Sequence, residues 1–428
     1  MMVVAIAVAA QTAPAAAQGP VDSSRVAREA YRQAVPHIRR SAWAEAREFV
    51  RRSFQAWPAQ PAYVLAYAAL SARVQDTAET VRTLQYLADM GLSVDLAGDE
   101  DFAAVRDAPA VKALAPRLAA NAAPLAKSTL AASLTELDFF PEGISHDPRK
   151  NVWYVASIRH RKVARVSKDG TAEDFIKEGQ DGLWGVFGVR ADPGSGTLWV
   201  TTAAIPQVAD YAPADSGRSG IFAFDLETGR LKARYLLPVS PAGHLLGDLT
   251  VAPNGDVYAT DSRDPVIWRI LKGSDQVQEF VRDPLFRSLQ GPAVDPSGRM
   301  LYVADWSHGV LGVDLNTRQV WALPTPPRST VLGIDGMVWH KGALIGVQNG
   351  TTPNRVVRLA LDGTGHRITE VQILDRNSEL APGATIGTLW GDRYFYIANS
   401  QWDDYDNAGK LRANAKLVGP RILDLRLP

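Results

Sequence analysis

The chain has 428 residues, more than one average domain holds, so it suits two domains or one large repeat architecture. Lys+Arg and Asp+Glu both number 46. That balance excludes the basic footprint of a nucleic-acid binder or a polybasic membrane-surface protein. With no cysteine the chain has no disulfide, no thiolate nucleophile and no Cys-type zinc site.

Residues 1–19 are apolar and then rich in small residues, with Ala15-Ala16-Ala17 offering an A-x-A cleavage site. The stretch is too short to span a membrane, so it reads as a signal peptide and the protein as periplasmic or secreted. The basic start of such a peptide is missing, since the first Arg is Arg25.

Residues 22–120 are Ala-rich and helical in period. Trp43-Ala44-Glu45 is echoed by Thr77-Ala78-Glu79, which gives the 34-residue period of a tetratricopeptide-like helical repeat. Small alanines such as Ala46 and Ala68 allow close helix approach, and Pro58 and Pro61 break the chain between units. About two units are present, fewer than independent stability needs. This domain is expected to pack on the second half, where it could dock a protein partner. Residues 121–132 read as a linker.

From residue 133 to 428 one pattern recurs six times: a turn containing Pro, Gly or Asp, then a strand of aromatic and β-branched residues. The strands centre on Val155, Val200, Ala259, Val303, Gly346 and Ile397, a spacing close to a propeller blade. A short apolar strand precedes each, and a second follows, as in KVARVSK, GIFAFDL and VIWRILK. Asp-Gly or Thr-Gly turns lead several units into an outer strand. The expected fold is mainly β: a six-bladed β-propeller with an N-terminal α-helical domain. The sixth unit stops short of an outer strand, and residues 133–140 (SLTELDFF) are expected to supply it. Trp153, Trp199, Tyr258 and Tyr302 read as core.

PEGISHDPRKNVWYV, LGDLTVAPNGDVYATDS, LQGPAVDPSGRMLYVADW and GIDGMVWHKGALIGV, each at the start of an inner strand, resemble the SMP-30/gluconolactonase superfamily of six-bladed propellers. The first, third and fourth blades also resemble strictosidine-synthase-like propellers. The second, with LWVTT and IFAFDLETGRLKARYLLP, is similar to the royal jelly/yellow branch. The resemblance implies a divalent cation in the central channel, Ca²⁺ first, with Zn²⁺, Mg²⁺ and Mn²⁺ as alternatives. It places ligands at Glu142 and Asp335. The two asparagines of the family pattern fall on Gly247, which has no side chain, and on Gln290, with Asp248 as the substitute for the first. It also implies Asp335 as general base of a lactone or ester hydrolase acting on a small molecule. The altered ligand set leaves a non-catalytic binding propeller as the alternative.

Loops on the same face supply candidate substrate-binding residues: Arg159, Trp184, His308, Asn349 and Asn399. The acidic run Trp402–Asp406 reads as a solvated face. P-loop, dinucleotide, HExxH and GxSxG motifs are absent.

Overall fold

A computed structural model describes residues 20–428, so the expected signal peptide lies outside the described residues. No helix among them is long and apolar enough to cross a membrane.

Five helices come first: α1 (Pro20–Arg39), α2 (Trp43–Ala56), α3 (Pro61–Arg73), α4 (Thr77–Asp89) and α5 (Pro109–Ala122). Pro61 opens α3 at the position where a missing N–H costs nothing, and the Asp76 side chain accepts from the Glu79 backbone N–H to cap α4. Each helix packs on the next in sequence. Their shared core is built on fully buried alanines, Ala27, Ala34, Ala46, Ala68 and Ala72, which let the helix backbones approach closely.

The remainder forms six four-stranded sheets. Five are built from four strands consecutive in sequence, and all pairings are antiparallel. This is the six-bladed propeller that the turn-and-strand pattern implies. The sixth blade pairs Gly387–Trp390, Arg393–Ile397 and Arg421–Arg426 with an outer strand from the beginning of the propeller, so chain ends close the ring.

That closing strand is Thr129–Ser133, not residues 133–140. The expected segment has another task. It carries the chain from the rim to the axis, burying Leu134, Phe139 and Phe140 on the way. A segment crossing the blade cannot also pair along its edge. The expected linker is therefore structural. Asp375 accepts from the backbone N–H groups of Lys127 and Ser128 at 3.1 and 2.8 Å, and the Tyr396 hydroxyl donates to Ser128 Oγ at 2.9 Å.

The helices lie against the propeller. Arg355, 3% exposed, donates to the backbone oxygen of Met90 at 2.8 Å and to Gln348 Oε1 at 2.6 Å. Asp89 pairs with both Arg117 of α5 and Arg328 of the propeller.

Candidate functional site

Each blade's innermost strand begins near the propeller axis. These strands are Pro141–Asp147, Gly185–Asp192, Leu246–Val251, Leu289–Val294, Ile334–His340 and Gly387–Trp390. In the first five, the register shifts within the first turn of pairing: between Pro141 and Ile144, Val186 and Val189, Leu246 and Asp248, Leu289 and Pro292, Ile334 and Met337. A bulge re-aims the side chains it carries. Here the positions involved are Glu142, Phe187, Gly247, Gln290 and Asp335, and all five line one axial cavity of about 500 Å³.

The residue after each of these positions, except in the third blade, is glycine: Gly143, Gly188, Gly291 and Gly336. The reason is steric. A Cβ at Gly291 would lie 2.6 Å from the Met337 backbone nitrogen, and one at Gly336 would lie 2.6 Å from Ile386 Cα. Neighbouring blades meet on these glycines. The third blade inverts the order to Gly247-Asp248. Its side chain moves one residue along the strand, and Asp248 becomes 3% exposed in the cavity wall. A Cβ at Gly247 would have only Gln290 Oε1 nearby, at 3.7 Å. The longer amide arm of Gln290 thus reaches toward the space a side chain at 247 would take.

Three buried carboxyls share this cavity. Glu142 accepts from the Trp402 indole N–H at 3.0 Å and from the Ser400 hydroxyl at 3.5 Å. Asp335 accepts from the Asn349 amide at 2.9 Å, and that amide also donates to the Ala384 backbone oxygen. Asp248 Oδ1 accepts from the Leu249 backbone N–H, while its Oδ2 is buried with no hydrogen-bond partner. Burial is the largest cause of a rise in all three. Asp248 and Asp335 are pushed up to about 6. Glu142 is held well above the usual carboxylate range by burial and then by the like charge of Asp335. Three desolvated acids sharing one cavity are costly unless something positive offsets them.

By chemistry, though not by spacing, since the Glu142, Asp248 and Asp335 oxygens do not all lie within 4.8 Å of one another, the donor set is that of a hard divalent cation. It consists of carboxylate and amide oxygens only, and two of these, Asp248 Oδ2 and Asn349 Oδ1, are buried without a partner. All-oxygen sets suit Ca²⁺ or Mg²⁺, whereas Zn²⁺ favours nitrogen and sulfur. Glu142, Asp248, Asp335 and Gln290 would hold it.

Of the candidate substrate-binding residues, Asn349 lines the cavity and the others lie elsewhere. Arg159 donates to the Gln207 backbone oxygen and stacks over Tyr405. Trp184 lines a separate surface hollow and lies under the Arg218 guanidinium. Asn399 is 6% exposed and holds the last strand, accepting from Arg421 N–H and donating to the Gly419 backbone oxygen. His308 belongs to the domain joint. Its Nδ1 meets the Leu285 backbone oxygen at 2.6 Å, Arg28 lies 3.0 Å from its Nε2, and Trp57 packs against its ring. Its position after Asp-Trp-Ser gave no hint that a helix would cover it.

The sequence reading missed Phe187 and Ser400, which line the cavity. Trp306 and Trp402, on loops expected at the same face, line it as well, and Trp402, in the run read as a solvated face, orients Glu142. Tyr394 lies on the second strand of blade six, yet its ring occupies the space a Cβ at Gly387 would need. Its hydroxyl is buried without a partner, and burial holds it far above the usual phenol range. The signal available was the glycine in front of it.

Among the described residues the one group of three carboxylate or histidine ligands whose atoms all lie within 4.8 Å of one another is Glu136, Asp138 and His160, outside the axial cavity; Glu142, Asp248 and Asp335 stand farther apart than that. Lys162 Nζ stands 2.8 Å from Glu136 Oε2, so a fixed cation already serves it.

No family model matches the chain, and no curated protein matches it by sequence. Solved structures match it in fold. A gluconolactonase from Xanthomonas campestris is 18% identical, with 72% of this chain and 93% of that chain covered and a TM-score of 0.47. The calcium-binding protein regucalcin from Agrobacterium tumefaciens is 16% identical, covering 70% and 98%, with a TM-score of 0.45. A PQQ-bound aldose sugar dehydrogenase from Streptomyces coelicolor is also 16% identical, covering 71% and 99%, with a TM-score of 0.46. At these identities the likeness concerns the fold alone.

Proposed function

We propose that the propeller is a divalent-cation-dependent hydrolase that opens a lactone or related ester of a small molecule in the axial cavity. The observation that carries this reading is the convergence of Glu142, Asp248 and Asp335 from three blades, buried in one cavity with unpartnered oxygen facing it. A bound cation would polarise the ester carbonyl and make a water more acidic. The chain supplies the rest. Asp335, ionised beside the cation, would take a proton from water. The Asn349 amide fixes the carboxylate it donates to. Trp402 and Ser400 hold Glu142, and Phe187, Trp306 and Ile386 give the substrate apolar walls.

The test is metal analysis of purified protein followed by a lactone panel with and without chelator. Stoichiometric Ca²⁺ or Mg²⁺, with turnover abolished by chelator and by Asp335→Asn, is the expected result. Cation-free protein that still turns over lactones, or no turnover of any lactone with the metal bound, refutes it.

Gly247 favours a second reading. A ring position without a side chain would suit a non-catalytic propeller that retains a small ligand, with the tetratricopeptide-like helices docking a protein partner. Retention of a lactone without turnover would select it. The apolar stretch at residues 1–19 supports a periplasmic or secreted setting for either reading.

A further inference from the structure

The starts of the six inner strands form the carboxylate cavity, and their later residues enclose a second chamber at the other end of the axis. It measures about 270 Å³, and every blade contributes to it, through Ser145, Arg190, Thr250, Ala293, Trp339 and Leu389 among others. Three residues of extended chain separate the two levels, ~10 Å along a strand. No carboxylate lines this chamber. Its charged residue is Arg190, whose Nε is buried and has no hydrogen-bond partner. Among the described residues Arg190 makes no ion pair at contact distance; the carboxylate that feels its charge is Asp248, from the level above.

A guanidinium is a planar fork of donors that matches the two oxygens of a carboxylate, and it is weakly hydrated enough to work in a partly closed site. The other walls mix polar side chains, Ser145, His146, Thr250 and Thr388, with apolar ones, Pro292, Met337, Trp339 and Leu389. A fork with hydroxyls and apolar side chains in the same wall suits a short organic acid, whose carboxylate takes the fork and the hydroxyls and whose carbon chain takes Trp339 and Leu389. We propose that this lower chamber binds a small organic carboxylate, its oxygens on Arg190 and its carbon chain against Trp339 and Leu389. The two ends of the axis then sort ligands by charge: acids above for a cation, a guanidinium below for an anion. Asp248 stands between them and competes for Arg190.

The experiment is calorimetric titration of the full chain with propionate, and separately with inorganic phosphate, in chelator so that the upper cavity plays no part. Saturable propionate binding is expected. Arg190→Gln should weaken it by about tenfold or more, the scale of a lost charge-assisted contact. Asp248→Asn should tighten it, because the competing charge is gone. Leu389→Trp, which keeps Arg190 and fills the chamber, should block it, and this variant decides the matter if Arg190→Gln fails to fold. Propionate that does not saturate, binding unchanged in Leu389→Trp or in folded Arg190→Gln, or phosphate binding better than propionate overturns the proposal.

Discussion

Replacing Asp335 by Asn should make the cation-free protein more stable at about pH 8 and leave its stability nearly unchanged at about pH 4. The carboxyl rises from 3.8 to about 6 in the fold, chiefly because it is buried. Ionising it above both values therefore costs the folded state ~3 kcal/mol, at ~1.4 kcal/mol per pH unit. The sign follows from proton counting. Between the unfolded and folded values the native state binds more protons than the unfolded state, so stability falls as pH rises through roughly 4 to 6. Asn has no charge to desolvate and can still accept from the Asn349 amide. It also removes the like charge that helps hold Glu142 up, which adds to the gain. The assay is urea unfolding of wild type and Asp335→Asn in chelator across that pH range, followed by fluorescence. A stability gain that grows with pH, and a wild-type loss that Ca²⁺ reverses, are expected. A gain of the same size at both pH values would mean that packing, not charge, sets the difference, and no gain at the upper pH would refute the electrostatic account.

Gly247→Asn should fold and should tighten divalent-cation binding by roughly tenfold, since the new Cβ meets only Gln290 Oε1 at 3.7 Å and one more oxygen faces the axis; calorimetric titration with Ca²⁺ reads it. Gly336→Ala, just after the ring position of blade five, should instead cost stability, because its Cβ would press to 2.6 Å from Ile386 Cα; the melting temperature reads it, and a melt unchanged from wild type would contradict the blade contact. Arg355→Met should loosen the helices from the propeller by ~2–3 kcal/mol, since it leaves the Met90 backbone oxygen and Gln348 Oε1 without their donor. Hydrogen exchange should rise in α4 and α5 and stay low in the inner strands.

The blade count was legible because its signal is local and repeated. A turn residue followed by β-branched and aromatic residues marks a strand wherever it occurs, and six copies leave few architectures. The closing strand was not legible in the same way. Thr129–Ser133 is short, with one large apolar side chain, whereas Phe139 and Phe140 advertise a strand they do not form. Glu142 and Asp335 came from the family resemblance rather than from spacing, and both line the axial cavity. Arg159, Trp184, His308 and Asn399 sit on loops, where sequence spacing says nothing about which way a side chain turns. His308 shows the cost most plainly: its partners, Ser24 and Arg28, lie in a different domain.

The inversion at Gly247-Asp248 ties these observations together. Four blades pack against their neighbours through a glycine placed just after the ring position, Gly143, Gly188, Gly291 and Gly336, and the ring position itself carries the side chain. Blade three gives up its ring side chain and places a carboxylate at the packing position instead. That carboxylate is buried, has an unpartnered oxygen, and lies within electrostatic reach of both Asp335 above and Arg190 below. A substitution that only discarded a ligand would need Gly247 alone. Keeping a buried acid one residue farther along the strand has a cost of its own, because burial pushes Asp248 up to about 6. The cost is offset where positive charge stands near it, and the channel provides Arg190 below and, under the proposed function, a cation above. Asp248 is therefore better read as the link between the two levels of the axis than as a displaced copy of the missing ring residue.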